Sequence, residues 1–403
     1  MNGTHPQRRA EVRALARLAG DELGGAVDGI GAVHRAISDR VFAAVRLGVG
    51  PAARPVKLVH DTITDGVYRA VSAAAVAAGA VAEHTADAPG VAPSRTVYGS
   101  GLLAALQGLI GDTLADERPI LAGPMTFRCE GAPVGAEQVG AGLARPSGHI
   151  VVFLHGLVET EHAWHLGGGP SYAERLDTDM DCSALQIRYN SGLRIHDNAA
   201  QLSELMQRLV DHWPVPVERI SLVGHSMGGL IVRGACFEAT EAERTWVRAV
   251  RKVVCLGSPH LGAPLEQVVH YGSSLLGLLP ETRPFGRLLR RRSAGIRDLR
   301  RGSVLEDAEA ADIPLLEGVD HYFVTASITR SPRNPLGRVL GDGLVLTPSG
   351  AGRNRSRRIG FEESNGLHLP GANHFTLLNH EAVYAALRDW LGASEAARAD
   401  STG

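Results

Sequence analysis

The sequence lacks an excess of charge of either sign, since its 403 residues carry a formal net charge of −2 at pH 7. A nearly neutral chain gives no reason to expect a nucleic-acid partner. Its first residues lack the apolar stretch of a secretory signal. The most apolar stretch, 71–81, is shorter than the roughly 20 residues that cross a bilayer. These absences predict a soluble, cytoplasmic protein.

Cysteine is scarce, and its spacing excludes two chemistries. None of the four cysteines, Cys129, Cys182, Cys236 and Cys255, forms a CxxC pair with another. The sequence therefore excludes a zinc ribbon and thioredoxin-like redox chemistry. Because Cys236 and Cys255 lie in apolar runs, we expect buried free thiols there. The sequence alone leaves a disulfide open.

A change of pattern near residue 118 divides the chain. Before it, apolar residues recur at helical spacing over 30–45, 63–71 and 102–114, with Ser100 as the candidate cap of the last helix. After it, strands and helices alternate. We predict a helical N-terminal region over 1–117, an α/β domain over 118–393 and a flexible tail over 394–403.

The apolar faces of the N-terminal helices have to be buried against each other or against another surface. We favour core packing over a membrane or partner module, because the helices lack interfacial tryptophan and dense lysine. No chemical motif occurs in this region. Peripheral membrane contact therefore remains an alternative role for it, and the oligomeric state is not predicted.

The alternation after residue 118 predicts a mostly parallel sheet with helices on both faces, which is an α/β fold. Helical sequence over 265–315 interrupts the alternation, and an insertion there would lie above the strand ends as a cap. The predicted strands cover 125–129, 149–154, 183–189, 220–223, 252–256 and 322–326, and the predicted helices cover 199–213, 227–237 and 382–391.

A glycine-flanked serine carries the strongest chemical signal. Gly224-x-Ser226-x-Gly228 lies between an apolar strand and a helix. Such a strand-to-helix turn is sharp and strained, and flanking glycines leave room for it. It would present the Ser226 hydroxyl at the N-terminus of the helix, where the dipole favours a developing negative charge. We therefore predict Ser226 as a nucleophile.

A serine nucleophile needs a base and an acid that orients the base. In chain order the acid and then the histidine follow the serine. We predict His374 as the base, because it lies in a loop just before the last helix, whereas the rival His380 lies closer to that helix and is expected to cap or pack there.

Asp342 is the predicted acid, because flanking glycines suit an acid presented from a tight loop. Asp320 precedes its strand, which is the wrong end for a site at the carboxyl edge of the sheet. Three other aspartates are interpreted as solvated faces of the charged insertion. They are Asp298, Asp307 and Asp312.

An oxyanion hole needs two backbone N–H groups. We predict Met227, which directly follows the nucleophile, and Leu157, which follows the first strong strand. A rival interpretation makes the acidic and histidine residues of this segment a metal site, but they lack HExxH order. They are His155, Glu159, Glu161, His162 and His165.

Together these motifs resemble the lipase and esterase branch of the α/β hydrolases, including bacterial triacylglycerol lipases and GPI-inositol-deacylase-like proteins. The resemblance covers about 118–393. It implies the α/β-hydrolase fold, ester hydrolysis, a Ser226–Asp342–His374 triad and backbone donors at Leu157 and Met227. Gly257-Ser-Pro-His260 resembles a strand-end segment of lipases that supports the site. The motifs in order are 152–157, 188–198, 224–229, 257–262, 341–343 and 373–374.

These observations predict a serine carboxylic ester hydrolase, an esterase or lipase, that acts on lipid-like acyl esters without a cofactor. Leu275, Leu276 and Leu279 of the insertion are the predicted acyl contacts, and arginines follow them closely. The same triad would also suit an acyltransferase or thioesterase. A non-enzymatic alternative is a scaffolding protein with a vestigial hydrolase domain.

Overall fold

The computed structural model describes residues 4–18, 90–263, 293–304, 313–331 and 341–392. Several predictions lie outside these residues. They are the helices over 30–45 and 63–71, the acyl contacts Leu275, Leu276 and Leu279, the aspartates Asp307 and Asp312, and the tail over 394–403.

An eight-stranded sheet forms the centre of the described structure, in the order β2-β1-β4-β3-β5-β6-β7-β8. β1 pairs antiparallel with β2 and β4, and every later neighbour is parallel. The predicted α/β fold is confirmed. The strands are β1 (Thr126–Cys129), β2 (Ala132–Val134), β3 (His149–Leu154), β4 (Ser183–Arg188), β5 (Arg219–His225), β6 (Val250–Leu256), β7 (Asp320–Ser327) and β8 (Gly366–Pro370).

The two faces of the sheet bury two separate apolar cores. Successive side chains of a strand point to opposite faces. In β3, Val152 and Leu154 therefore lie in one core, while Val151 and Phe153 lie in the other, all with 0% exposure. A strand buried on both faces is continuously apolar, which explains why 149–154 was so clear in the sequence.

Helices cover both faces, and all three helices predicted for the α/β domain are present, with bounds that differ by a few residues. The longer helices are α1 (Thr4–Leu18), α2 (Val97–Glu117), α5 (Tyr172–Asp179), α6 (Ile195–Asp211), α7 (Met227–Glu241), α8 (Ala294–Arg301) and α10 (Glu381–Gly392), and the one-turn helices are α3 (Pro119–Ala122), α4 (Ala136–Val139) and α9 (Thr347–Gly350).

The described N-terminal helices form a third, smaller core. Leu18 of α1 packs with Leu103, Leu106 and Leu114 of α2. The prediction of Ser100 as the cap of α2 is wrong, because the helix begins earlier. Thr96 caps it, and the Thr96 hydroxyl accepts a hydrogen bond from the Gly99 N–H.

A polar link joins α1 to the sheet. Glu11 is 2% exposed, and its carboxylate accepts hydrogen bonds from the backbone N–H and the hydroxyl of Ser94 at 2.9 and 2.6 Å. Arg188 at the end of β4 donates to the Ser94 carbonyl. A buried carboxylate with these donors is stabilised, so the link holds α1 in place beside the sheet.

All four cysteines are free, and Cys182, Cys236 and Cys255 are buried, which confirms the expectation of buried thiols at the last two positions. Burial raises the pKa of the Cys236 and Cys255 thiols to about 12. In the described part of the chain, no helix is both long and apolar enough to cross a membrane. The cytoplasmic location stays a prediction.

Candidate active site

Ser226 occupies a sharp turn between β5 and α7. Its backbone has φ +51° and ψ −120°, a left-handed conformation that strains a residue with a side chain. A Cβ at Gly224 would lie 2.4 Å from the Gly229 nitrogen, and one at Gly228 would lie 2.6 Å from the Leu154 carbonyl oxygen. Only glycine fits both positions, so the motif is a steric requirement of this turn.

His374 and Asp342 form a buried pair on loops beyond the sheet. The His374 Nδ1–H donates to Asp342 Oδ2 at 2.7 Å, and the two residues are 2% and 3% exposed. The other carboxylate oxygen, Oδ1, accepts the backbone N–H groups of Leu344 and Val345 at 2.9 and 2.7 Å. The Asp342 carboxylate thus accepts three hydrogen bonds, and it holds the imidazole in one tautomer.

The backbone joins the same two loops. The His374 N–H donates to the Asp342 carbonyl at 3.0 Å, and the Ile328 N–H just beyond β7 donates to the Gly341 carbonyl at 2.9 Å. Gly341 and Gly343 have φ values of +54° and +98°. The glycines that flank Asp342 therefore allow the tight turn on which the sequence prediction depended.

Electrostatics favour a protonatable His374. Burial disfavours its charged form, but the Asp342 carboxylate, its hydrogen bond and the Glu159 carboxylate together raise the pKa of His374 above its ordinary value. An imidazole with a raised pKa is a stronger base than free histidine and holds an abstracted proton longer.

The Ser226 turn and the His374–Asp342 pair lie at the same, carboxyl edge of the sheet. The ring of His225, the residue before Ser226, lies 4.7 Å from the His374 ring, centroid to centroid. A Cβ on Gly257, just after β6, would lie 3.2 Å from two atoms of the His374 ring. The Ser226 N–H donates to the Leu256 carbonyl at 2.8 Å. Ser226 and His374 thus both border the end of β6.

The two rejected candidates have other partners. Asp320 lies at the start of β7, where it pairs with Lys252 at the opposite edge of the sheet. The His380 Nδ1 accepts the Ala382 N–H at 3.1 Å, so this side chain caps the beginning of α10. Both positions agree with the reasons for which the sequence analysis set these residues aside.

The loop after β3 lies directly beside the nucleophile. A Cβ on Gly156 would lie 3.0 Å from the Ser226 Cβ. Leu157 follows it, and Met227 is the first residue of α7, whose N–H has no partner within the helix. The structure therefore places the loop that carries Leu157 beside Ser226, which Met227 follows directly.

His155 fixes the beginning of this loop. Its Nδ1–H donates to the Gly156 carbonyl at 2.8 Å, its Nε2 accepts the Tyr189 N–H at 3.3 Å, and its ring stacks on the Tyr189 ring at 4.3 Å. Burial lowers the pKa of His155 to about 4, so the ring stays neutral and keeps both bonds.

Glu159 is a site residue whose role the sequence did not reveal. Its Oε2 accepts the Gly156 N–H at 2.6 Å and pairs with His225 Nδ1 at 2.9 Å. Burial raises its pKa, but the His225 ring and the Gly156 N–H outweigh burial, so the pKa of Glu159 lies below its ordinary value. An ionised carboxylate thus lies between the loop, the nucleophile turn and the base.

The two glutamates of the rival metal site have different partners in the structure. Glu159 faces His225, whereas Glu161 forms a buried two-pronged ion pair with Arg188. Within residues 4–18, 90–263, 293–304, 313–331 and 341–392, no group of three or more histidine, cysteine, aspartate or glutamate side chains is arranged to hold a metal ion.

His260 lies in the predicted supporting segment after β6. It is fully buried, and its Nδ1 lies 3.3 Å from the guanidinium of Arg233 in α7, which also donates to the Ile313 carbonyl at 2.8 Å. Burial first, and the Arg233 charge second, lower the pKa of His260 far below its usual range. A neutral His260 therefore supports the helix that carries the nucleophile turn.

The interpretation of Asp298 as a solvated residue is wrong. Asp298 of α8 is 9% exposed, and its carboxylate accepts the Ile195 N–H at 3.0 Å. The carboxylate thereby satisfies a free donor in the first turn of α6 and interacts favourably with that helix dipole. Sequence alone could not pair residues 103 positions apart.

A family comparison finds a likeness over part of the chain. Residues 175–274 match the family described as PGAP1-like alpha/beta domain. The matched segment holds β4 to β6, the Ser226 turn and Gly257-Ser-Pro-His260. The resemblance inferred from the motifs is thus supported in this segment. No curated protein matches the sequence.

Solved structures give weaker likenesses. The lipase BlEst2 of Bacillus licheniformis in its mature form is 16% identical, with 62% of this chain and 96% of that chain covered and a TM-score of 0.41. The phospholipase PlaB from Legionella pneumophila is 16% identical, with 63% and 61% covered and a TM-score of 0.42. The RedJ thioesterase of Streptomyces coelicolor is 18% identical, with 63% and 95% covered and a TM-score of 0.35.

At these identities and TM-scores the likenesses decide nothing beyond what the sheet already establishes. The fold assignment depends instead on three observations: the mostly parallel sheet, the Ser226 turn between β5 and α7, and the family match. The chain is an α/β-hydrolase-fold protein whose central segment resembles the PGAP1-like family.

Proposed function

We propose that this protein is a serine carboxylic ester hydrolase that cleaves lipid-like acyl esters through an acyl-enzyme. The Ser226 hydroxyl attacks the acyl carbonyl, and His374 takes its proton and gives it to the leaving alcohol. Water then attacks the acyl-enzyme with His374 again as base, which releases the acid. Asp342 holds the imidazole in the tautomer that this exchange requires.

One observation carries the proposal most directly. Ser226 is strained at φ +51° beside the loop after β3, while a buried His374–Asp342 pair lies at the same sheet edge. Strain of this kind persists only where the surrounding structure enforces it, and it clusters at functional sites. A vestigial domain would have no need to retain it.

The oxyanion that forms during attack would accept the N–H groups of Leu157 and Met227. The Met227 N–H lies at the N-terminus of α7, where the helix dipole also favours negative charge. Fixed donors of this type stabilise the transition state more than the substrate, because the charge develops only during attack.

Apolar groups near the site support an apolar acyl substrate. Val158 follows Leu157 and is 46% exposed, and Leu344 follows Asp342 by two residues and is 38% exposed. Large apolar side chains exposed beside a site favour apolar ligands. We therefore expect medium or long acyl esters to be cleaved faster than acetates.

Fluorophosphonate labelling tests the proposal. The wild-type protein should be labelled and should hydrolyse p-nitrophenyl esters, and Ser226→Ala should lose the label and at least about 10³-fold of activity. Ser203→Ala is the matched control, because Ser203 is fully buried in α6 and its hydroxyl has no hydrogen-bond partner. A Ser226→Ala protein that keeps both label and activity would contradict the proposal.

The acyl acceptor requires a separate measurement. Once the acyl-enzyme is trapped, offering water and alcohols in competition distinguishes a hydrolase from an acyltransferase, and thioester substrates address the thioesterase alternative. Release of free acid as the main product supports the hydrolase.

A further inference from the structure

Helix α2 of the N-terminal region directly contacts the loop over 155–160, which follows β3 and carries the proposed oxyanion donor Leu157. This segment is called the oxyanion loop below. A Cβ on Gly108 would lie 2.2 Å from the Val158 Cγ1 and 3.7 Å from the Leu157 Cδ1. One turn further along the helix, a Cβ on Gly111 would lie 2.1 Å from the Asn190 Oδ1. The two glycines of α2 thus meet two loops beyond the sheet, the loop after β3 and the loop after β4.

The same helix approaches the second loop with backbone against backbone. A Cβ on Gly192 would lie 1.9 Å from the Gln107 carbonyl oxygen and 2.7 Å from the Gly111 Cα. The Asn190 side chain donates to the Gly111 carbonyl at 2.8 Å. Contacts this close leave α2 no room to shift without moving the loop over 190–192.

The helix is bent where these contacts occur. Ile110 has φ −139° and ψ 26°, which interrupts the helix between the two glycines. The Gly108 carbonyl accepts the Ser293 hydroxyl at 2.6 Å. Partners that satisfy carbonyls freed by the bend hold the bend in place.

The oxyanion loop is strained at the residue that α2 touches. Val158 has φ +57°, a rare conformation for a β-branched residue. Its N–H donates to the Ser191 hydroxyl at 3.1 Å, and Ser191 is 1% exposed. Val158 is therefore held from both sides, by Gly108 of α2 and by the loop that α2 also braces.

We propose that α2 is a positioning element for the oxyanion hole. Gly108 leaves the space that the Val158 side chain requires, and so fixes the backbone whose Leu157 N–H faces the developing oxyanion. The inference depends on the proposed ester hydrolysis. It gives the N-terminal region a role in catalysis, although that region contains no chemical motif.

A methyl group at position 108 tests this role. Gly108→Ala has to rotate Val158 or displace the loop, so kcat should fall about tenfold with little change in KM, because a misplaced oxyanion donor weakens the transition state alone. The affinity for a boronic acid transition-state analogue should fall in parallel with kcat.

Gly101→Ala is the matched control. Gly101 lies in the same helix, and its Cβ would have no neighbour within 4 Å. Both changes add the same methyl and the same gain in helix propensity. Gly101→Ala should therefore keep wild-type kinetics.

Removal of the obstructing methyl should rescue the variant. Val158→Ala deletes Cγ1, which obstructs a methyl group at position 108. The kcat of the double variant Gly108→Ala/Val158→Ala should therefore lie close to the kcat of Val158→Ala alone. A role of α2 in stability alone predicts no such rescue, once rates are normalised to sites titrated with fluorophosphonate.

The outcomes separate this inference from the proposed function. If Gly108→Ala turns over as fast as Gly101→Ala, or if Val158→Ala brings no rescue, the positioning role is refuted while ester hydrolysis stands. If the wild-type protein neither reacts with fluorophosphonate nor cleaves esters, the proposed function fails first, and this inference with it.

Discussion

The sheet and the N-terminal helix α2 are held together in opposite ways. Strands β3 and β5 to β7 are fixed by large apolar side chains with little or no exposure, and the proposed site lies on the loops beyond them. Helix α2 instead meets two loops through glycines: Gly108 lies against the Val158 side chain, and Gly111 lies against the Asn190 side chain and the Gly192 backbone. The proposed catalytic residues can therefore be recognised from sequence motifs. The proposed support of the loop after β3 depends instead on glycines, which no motif marks.

The largest effect that would sharpen this contrast comes from the acid. Asp342→Asn keeps the size of the side chain but allows the wrong tautomer of His374, since an amide can donate where the carboxylate accepts. We expect kcat to fall roughly a hundredfold or more, guided by the loss of about 10⁴ for the equivalent change in a serine protease. Steady-state kinetics on p-nitrophenyl esters measure the loss.

Asp320→Asn is the control for this change. Asp320 is the first residue of strand β7, and it pairs with Lys252 at the opposite edge of the sheet. Its variant should lose far less activity than Asp342→Asn. The reverse ranking would exclude Asp342 as the acid.

Deletion of residues 1–117 would break the comparison at the other region. The truncated protein would uncover the apolar and polar surface that α2 now covers, including Asn190 and the Val158 loop. We expect the truncated protein to aggregate, as measured by light scattering, and to melt at a lower temperature, as measured by thermal unfolding. A monomeric truncated protein with unchanged melting and turnover would make the region an independent module.

The smallest expected effect concerns pH. His374 acts as a base only when neutral, and its pKa is raised, so kcat/KM should rise with pH through an apparent pKa above about 6.5, the value of free histidine. Glu159→Gln keeps an acceptor for the Gly156 N–H but removes a charge that raises this pKa. The rise should therefore move to lower pH.

Glu218→Gln is the control for the pH profile, because Glu218 is an exposed carboxylate that precedes β5, at the sheet edge remote from His374. It should leave the profile in place. A profile for Glu159→Gln that coincides with the wild-type profile would show that Glu159 exerts no charge effect on the base.

Sequence reasoning located the sheet and the site where local chemistry was decisive. The glycines around Ser226 are dictated by close backbone contacts, since a Cβ at Gly224 would lie 2.4 Å from Gly229 within the turn and one at Gly228 would lie 2.6 Å from Leu154 of β3. The resulting pattern is visible in five letters of the sequence. Strand β3 is apolar from Ile150 to Leu154 because both of its faces are buried. Asp342 was predictable because glycines with positive φ flank it.

Other features of the fold and the candidate site were not predicted from the sequence. Helix α5 was missed although Ser171 and Glu174 form a capping box that the sequence displays. Strand β8 was missed because only one of its five residues is buried, which leaves no apolar alternation. The pairing of Glu159 with His225 joins residues 66 positions apart, so only tertiary structure could reveal it.

The double link between Asp342 and His374, through side chains and backbone, has a consequence for the nascent protein. The two loops form one unit, and that unit is translated 116 to 148 residues after Ser226. At ribosomal speeds of about 5–20 residues per second, the delay is on the order of ten seconds. If Ser226 and His374 act as proposed, the emerging polypeptide carries the serine without its base during that interval, and the serine becomes reactive only after the loops of Asp342 and His374 have folded.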